Sequence, residues 1–147
     1  VSSTDFGGVI QCWDLRTGKS ACNFVGHAKR VLCSEFAPSG FQLVSAGDDG
    51  SIKIWDMRRP RRAATSIPAH TNLVTQLKFA HSSSSQSGEF LASSSFDGTG
   101  KIWSTRDWKL LNTLRGHEGK VMGIDILDGP RCGIVTCGFD KTLKLWQ

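Results

Sequence analysis

The chain carries an internal repeat, and this repeat limits its possible folds more than any other feature of the sequence. Four hexapeptides align on a tryptophan; they are VIQCWD (9–14), SIKIWD (51–56), TGKIWS (99–104) and KTLKLW (141–146). The tryptophans lie 42, 48 and 43 residues apart. A repeat of roughly 40 residues is a supersecondary unit that buries its apolar surface only by stacking on its neighbours. The sequence therefore predicts an array of similar units.

A histidine preceded by a small residue lies upstream of each of the last three tryptophans, at Gly26-His27, Ala69-His70 and Gly116-His117. Together with Cys137 and Asp140, His117 supplies the residue types from which hydrolases build catalytic sites. A catalytic set is not written three times in a short chain, whereas an architectural element is. We therefore interpret these histidines and Asp140 as structural, and Cys137 as a small core residue.

Each unit is predicted to form four short strands. In the second unit the β-branched and apolar segments are VLCSEF (31–36), QLVSA (42–46), SIKIW (51–55) and RAATSI (62–67). Turn residues separate them, notably Pro38-Ser39-Gly40 and Asp48-Asp49-Gly50. The longer middle spacing is explained by the polar tract HSSSSQSGE (81–89), in which Ser82 to Ser87 are predicted to form a surface loop.

The period and the Gly-His and Trp-Asp marks resemble those of the WD-repeat family. The resemblance implies an all-β fold, a WD-repeat β-propeller. We expect residues 1–147 to form a partial propeller of about three and a half four-stranded blades from a ring of about seven. Blade boundaries are expected near residues 26, 69 and 116. Three complete blades and the later strands of a fourth would then form the C-terminal half of a longer ring.

The resemblance also implies a hydrogen-bonded structural tetrad of His, Ser or Thr, Asp and Trp in each blade. By position the tetrads are His27, Ser45, Asp49 and Trp55; His70, Ser93, Asp97 and Trp103; and His117, Thr136, Asp140 and Trp146. The first unit departs from the pattern because Gly7 stands where the aspartate is expected, although Ser3 and Trp13 fit. We expect a weaker tetrad there, or none.

The net charge of +5 and a pI near 9.1 give the chain a mild basic bias. Its sharpest cluster is formed by Arg58, Arg59, Arg61 and Arg62, on a loop between two strands. Three interpretations stay open: contact with phosphate, a nuclear-import signal, or a solvated basic loop. No aromatic residue interleaves with these arginines, which disfavours base stacking on this loop.

Several site classes are disfavoured by the sequence. An odd number of cysteines, five, without framework spacing indicates a reducing compartment. Cys132 and Cys137 lack a second ligand pair, so no metal site is expected. There is no apolar run of about 18 residues that would span a membrane. No glycine-rich phosphate loop and no isolated acid pair is found, so we expect no cofactor, no small-molecule substrate and no catalytic residues.

Three stretches resemble one branch of the family more closely, the WD-repeat splicing factors of the U4/U6 small nuclear ribonucleoprotein (snRNP). They are DFGGVIQCWDLRTGK (5–19), IPAHTNLVTQLKF (67–79) and LRGHEGKVMGIDI (114–126). In the last stretch, Glu118, Lys120, Met122 and Gly123 are not expected to be demanded by the blade. Asn72 and Leu73 likewise exceed what the fold is expected to require.

This closer resemblance implies a non-catalytic scaffold for pre-mRNA splicing in the nucleus. Its partners would be spliceosomal proteins of the tri-snRNP, with U4/U6 small nuclear RNA contacted directly or through those proteins, and no membrane. The alternative is a generic WD-repeat adaptor, a ubiquitin-ligase or signalling scaffold. An enzyme would need a polar constellation left over after the tetrads are removed, and the sequence shows none.

Loops that project from a rigid frame are where a scaffold binds its partners. On the rim that carries the histidines, the candidate partner-binding residues are Lys29, Arg30, Asn72, Glu118 and Lys120. On the opposite rim they are Arg58, Arg59, Arg61 and Arg62.

Overall fold

The computed structural model describes residues 1–59, 63–80, 89–127 and 133–147. These residues form fourteen β-strands and no helix. Sheet 1 contains β1 (Ser2–Thr4), β2 (Val9–Asp14) and β3 (Lys19–Val25); sheet 2 contains β4 (Val31–Phe36), β5 (Gln42–Gly47), β6 (Ser51–Asp56) and β7 (Ala63–Pro68). Sheet 3 contains β8 (Val74–Phe79), β9 (Phe90–Ser95), β10 (Thr99–Ser104) and β11 (Leu110–Arg115); sheet 4 contains β12 (Val121–Leu127), β13 (Gly133–Gly138) and β14 (Leu143–Trp146).

All four sheets are antiparallel meanders in which consecutive strands pair. The four strands predicted for the second unit are found as β4 to β7, and residue 62, where the last was expected to begin, lies outside the described residues. The fold is therefore an all-β partial propeller with four-stranded blades. None of the described segments forms a helix long and apolar enough to cross a membrane.

The expected amount of propeller, about three and a half four-stranded blades, is confirmed by the fourteen strands, but the strands are divided differently from the expected three complete blades and part of a fourth. In the described part of the chain, sheets 2 and 3 have four strands, whereas sheets 1 and 4 have three. Among the described strands, β1 of sheet 1 corresponds to β5, and β14 of sheet 4, which carries the tetrad tryptophan, corresponds to β6.

The sheets stack face to face, and their cores lie between neighbouring sheets. The second strands β5 and β9 are buried along nearly their whole length, because both of their faces are covered. Between sheets 1 and 2, Phe24 packs on Trp55 with ring centroids 5.2 Å apart. Between sheets 2 and 3, Ile52 and Phe79 are fully buried in one cluster with Trp103. Stacking therefore supplies the apolar burial that a single small sheet lacks.

The register of strand pairing shifts at the same place in sheets 1 to 3. The pairing of third and fourth strands shifts register just before the tryptophan, at Cys12/Trp13, Ile54/Trp55 and Ile102/Trp103. A bulge re-aims a side chain and bends its strand. Because the bulge recurs at the same position, the repeat tryptophan lies at an equivalent place on its strand in sheets 1, 2 and 3.

Candidate functional site: a loop rim held by buried polar networks

In sheet 2 the four residues expected to form a tetrad are joined by hydrogen bonds. Nδ1 of His27 lies 2.8 Å from Oδ2 of Asp49, and Nε2 lies 2.8 Å from Oγ of Ser45. The indole N–H of Trp55 donates to the same Ser45 hydroxyl at 2.8 Å. Ser45 and Trp55 are fully buried, so these bonds are shielded from water.

The other two sets repeat this geometry. In sheet 3, His70 lies 2.8 Å from both Asp97 and Ser93, and Trp103 donates to Ser93 at 2.9 Å. In sheet 4 the corresponding distances, from His117 to Asp140 and Thr136 and from Trp146 to Thr136, are 2.8, 2.8 and 2.9 Å.

In the networks of sheets 2 and 3, the donors and acceptors match a neutral histidine. The indole N–H only donates, so the hydroxyl oxygen accepts that proton and has its own O–H left for Nε2 of the imidazole. Nδ1 then carries the ring proton and donates to the ionised aspartate. Every buried polar side chain of these networks therefore has a partner, which is what buried polar groups require. A protonated imidazole would instead donate to the serine hydroxyl, which would then have to turn its own O–H toward another acceptor.

Burial and hydrogen bonding set the charge states of these groups. Burial lowers the pKa of His27 and of His70 below the ordinary value of 6.5, and the neighbouring aspartates only partly offset it. For Asp49, burial alone raises the pKa, but hydrogen bonds from Ser51 and His27 outweigh it and hold the pKa below 3.8. The pKa values of Asp97 and Asp140 are also lowered, by hydrogen bonds that outweigh burial.

Each tetrad aspartate also ties two loops together. Oδ2 of Asp49 accepts the backbone N–H of Ala28 at 3.2 Å, and Oδ1 accepts the N–H and the hydroxyl of Ser51 at 3.0 and 2.7 Å. Asp97 and Asp140 repeat these contacts in sheets 3 and 4. The hydroxyl residue two positions after the aspartate was missed by sequence reasoning, although its recurrence as Ser51, Thr99 and Thr142 was a visible signal.

Sheet 1 contains only part of such a network. Trp13 donates to the Ser3 hydroxyl at 3.0 Å, but Gly7 offers no carboxylate. Trp13 is 36% exposed, whereas Trp55 is fully buried. Asp5 instead caps the turn by accepting the Val9 N–H at 2.8 Å.

The candidate residues of the histidine rim lie on the described loops that precede β4, β8 and β12. We use the name histidine rim for segments 26–30, 69–73 and 116–120 together with the facing turns 5–8, 48–50, 96–98 and 139–142. The candidates Lys29, Arg30, Asn72, Glu118 and Lys120 are all exposed. Arg30 pairs with Asp48, and Asn72 accepts the Leu73 N–H at 2.8 Å. Asn72 therefore also shapes its own turn.

Part of the opposite rim lies outside the described residues. Arg61 and Arg62 lie outside the described residues, as do the Ser82 to Ser87 tract and Cys132. Arg58 and Arg59 are exposed. Both guanidinium hydrogen bonds of Arg58 go to Asp56, at 2.9 and 3.0 Å, and this hydrogen bonding lowers the pKa of Asp56 to about 2. Arg58 is thus already occupied within the chain, whereas Arg59 has no ion-pair partner among the described residues.

The described cysteines have the character of core residues. Burial raises the pKa of Cys12 to about 11 and that of Cys33 to about 12, which disfavours the nucleophilic thiolate at neutral pH. Cys22 and Cys137 are half-buried and, like Cys12 and Cys33, free. Within the described ranges, no group of three or more potential ligands is placed to hold a metal ion.

Sequence reasoning missed three phenylalanines on the histidine rim. Phe6, Phe96 and Phe139 each stand seven residues before a repeat tryptophan, next to the aspartate position. Cations lie over their rings: Arg30 over Phe6 at 5.4 Å, and Lys120 over Phe96 at 4.5 Å and over Phe139 at 5.6 Å from the ring centroids. The recurrence of phenylalanine at one repeat position was the available signal.

Comparison with known proteins gives the same repeats. The family described as WD domain, G-beta repeat, matches residues 18–56, 62–104 and 108–147. The chain is 35% identical over 149 residues to Protein SUPPRESSOR OF PHYA-105 1 of Arabidopsis thaliana, covering 100% of this chain and 14% of that protein. It is 30% identical over 153 residues to the nuclear distribution protein PAC1 of Arthroderma benhamiae, covering 100% of this chain and 33% of that protein.

A third relative widens the range of roles. The chain is 32% identical over 121 residues to the Arabidopsis thaliana transcriptional corepressor LEUNIG_HOMOLOG, covering 82% of this chain and 15% of that protein. The chain thus spans between 14% and 33% of the lengths of these three relatives. Their names describe regulators and a nuclear distribution protein, and none of the three describes a splicing factor.

Proposed function

The chain belongs to the WD-repeat family, and from this premise we propose that it is a non-catalytic protein-interaction scaffold of pre-mRNA splicing. In this proposal it works in the nucleus as a component of the U4/U6 snRNP and of the tri-snRNP. Its partners are tri-snRNP proteins, and it contacts U4/U6 RNA directly or through them. It uses no cofactor.

One observation carries the scaffold role: the residues suited to chemistry are consumed in buried networks. The hydroxyl groups of Ser45, Ser93 and Thr136 are buried, and each already contacts a histidine and an indole N–H. A nucleophile must reach a substrate, and these groups do not. What the networks do accomplish is to fix the loops of the histidine rim, because each aspartate bonds to two of them. Exposed loops on a fixed frame suit partner binding.

The splicing assignment is supported by residues beyond the repeat pattern. Glu118 and Lys120 are exposed on the histidine rim, and Met122 is 42% exposed at the start of β12. Neither packing nor a tetrad requires these identities. Gly123 must be withdrawn from this set, because a Cβ there would lie 3.0 Å from Sγ of Cys137 and 3.1 Å from Oε1 of Gln76. Close packing therefore favours glycine at position 123.

The test is a pull-down of the full-length tagged protein from nuclear extract at moderate salt, followed by sequencing of the small RNAs. An unrelated WD-repeat protein with the same tag serves as the control. We expect U4 and U6 to be enriched over the other small nuclear RNAs. Recovery of none of them, or of all equally, would reject the splicing assignment. The generic adaptor would then be the better reading, which agrees with the regulator names of the relatives.

A further inference from the structure

Exposed phenylalanines on the histidine rim are not explained by stability. Phe6 is 80% exposed and Phe139 is 62% exposed, while Phe96 is half-buried. An aromatic ring stabilises a fold by being buried, and these rings largely are not. The second repeat has Asp48 at the same position, so the blade does not require an aromatic residue there.

Around Lys120 two of these rings form a small constructed site. The rings of Phe96 and Phe139 meet edge to face, with centroids 6.2 Å apart and planes at 71°. Lys120 lies over both, and its carbonyl accepts the Phe139 N–H at 2.9 Å, which holds residue 139 beside it. An exposed cation on an aromatic face gains only about 0.5–1 kcal/mol, so the ammonium stays available to an anion. Lys120 has no carboxylate partner among the described residues.

A cleft of about 360 Å³ opens beside this site, between sheets 3 and 4. Arg115 and Lys120 line it, and Arg115 is exposed with no ion-pair partner in the described part of the chain. Its one carboxylate, that of Asp97, already accepts hydrogen bonds from His70 and Thr99. The free charge at the cleft is therefore positive, next to exposed aromatic surface.

We propose that this cleft, which we call the Lys120 cleft, binds an acidic segment of a partner protein. Carboxylates of the segment pair with Lys120 and Arg115, and an apolar side chain packs on the exposed face of Phe139. The proposal rests on the proposed function, since it names the chemistry that the histidine rim of the scaffold recognises. Charge complementarity favours an acidic partner, and an exposed aromatic beside it favours one that also brings apolar surface.

A protein segment fits the site better than single-stranded RNA. Lys120 lies over one face of Phe96 and one face of Phe139, so each ring offers at most a single outward face for stacking. The edge-to-face arrangement of the rings also leaves no parallel pair between which a base would insert.

The test measures binding by the full-length protein of a short fluorescein-labelled peptide that alternates glutamate and phenylalanine. Comparison probes are the same peptide with glutamine for glutamate, the same peptide with serine for phenylalanine, and an oligouridine of similar charge. Lys120→Glu and Phe139→Ser probe the cleft. Lys19→Glu is the matched control, because Lys19 is exposed at the start of β3, on the opposite rim.

We expect the acidic peptide to bind. Each peptide change and each cleft variant should weaken binding at least about fivefold, and the loss from the charge changes should be larger at low salt. Lys19→Glu should leave binding within about twofold, and all variants should keep the melting temperature of the parent. Equal binding of the glutamine peptide, tighter binding of oligouridine, or an equal loss in Lys19→Glu would overturn the proposal. Co-purification of U4 and U6 without any peptide binding would reject this inference and leave the proposed function standing.

Discussion

Ser93 shows at the scale of one residue how the networks stabilise the fold. Its hydroxyl is fully buried, accepts the Trp103 indole N–H and donates to Nε2 of His70. Leaving a buried donor or acceptor unpaired costs about 1–3 kcal/mol, more than the net gain from forming the bond. Removing such a hydroxyl is therefore destabilising mainly because it leaves two buried partners without a hydrogen bond.

Replacing Ser93→Ala should lower the free energy of unfolding by roughly 2–4 kcal/mol, because the indole N–H and the imidazole both lose their partner. Chemical denaturation of the full-length protein checks this. Ser3→Ala is the control: Trp13 is 36% exposed, so water replaces the lost bond and the expected loss is below about 1 kcal/mol. Equal losses of unfolding free energy at the two sites would show that burial does not determine how much the network stabilises the fold.

Acid should destabilise the protein in two stages. The pKa of His27 and His70 is lower in the folded chain than the 6.5 of the unfolded one, so between these values the unfolded chain binds more protons. Their contribution is complete above about pH 6.5 and is lost as the pH falls below it. The lowered pKa values of Asp49, Asp97 and Asp140 add a second loss below about pH 4.

A melting-temperature series between neutral and mildly acidic pH measures the first stage. We expect the melting temperature to fall as the pH is lowered, and to fall less steeply in a His70→Gln variant, which lacks one titrating group. A melting temperature that is flat or rises toward acidic pH would contradict neutral buried histidines.

At the scale of the element, the turn between the second and third strands carries a backbone requirement. Gly8, Gly50 and Gly98, each five residues before a repeat tryptophan, have φ values of 80°, 69° and 84°. In the last repeat this position is Lys141, with φ of 60°. At Gly50 a Cβ would lie only 2.6 Å from the His70 carbonyl oxygen, so the turn also sets the approach of the histidine loop.

Gly50→Ala should therefore lower the free energy of unfolding by more than the strain of a left-handed backbone alone. We expect about 1 kcal/mol from the φ value and a further 1–3 kcal/mol, roughly, from displacing the His70 backbone. Gly18→Ala isolates the first part, because Gly18 has φ of 67° and nothing within 4 Å of its Cβ position. Denaturation midpoints of both variants measure the difference, and equal costs would show that the close approach relaxes freely.

The sequence predicted features that repeat and missed features that depend on one location. The strands of the second unit and the members of each tetrad follow from spacing, because every copy reports the same position. The preference for glycine at position 123 was missed because it comes from contacts with Cys137 and Gln76, which are distant in sequence. The Lys120 cleft was missed because a cation and two rings from three different turns meet only after the sheets stack.

At the scale of the whole molecule, sheet 4 presents apolar surface. Leu143 is 75% exposed and Leu145 is 57% exposed on β14, which has no further neighbouring strand in the described part of the chain. Unpaired edges and exposed apolar side chains promote association. Residues 1–147 expressed alone should self-associate with rising concentration, and Leu145→Glu should reduce this in sedimentation velocity. Leu15→Glu is the control, since Leu15 is 77% exposed on a turn of sheet 1, and an equal reduction there would count against the β14 surface.

If the buried networks hold the histidine rim and its exposed side chains bind the partner, reversing charges on that rim should abolish binding without unfolding the protein. The experiment compares the full-length parent, a Lys29→Glu/Lys120→Glu variant and an Arg59→Glu variant, and measures co-purified U4 and U6 RNA per protein together with the melting temperature. We expect the histidine-rim variant to keep its melting temperature and to lose most of the RNA, at least about fivefold. Arg59→Glu should retain both the RNA and the melting temperature. Full RNA recovery with the histidine rim reversed, and loss of RNA with Arg59→Glu, would contradict this division of roles and place the binding surface on the opposite rim.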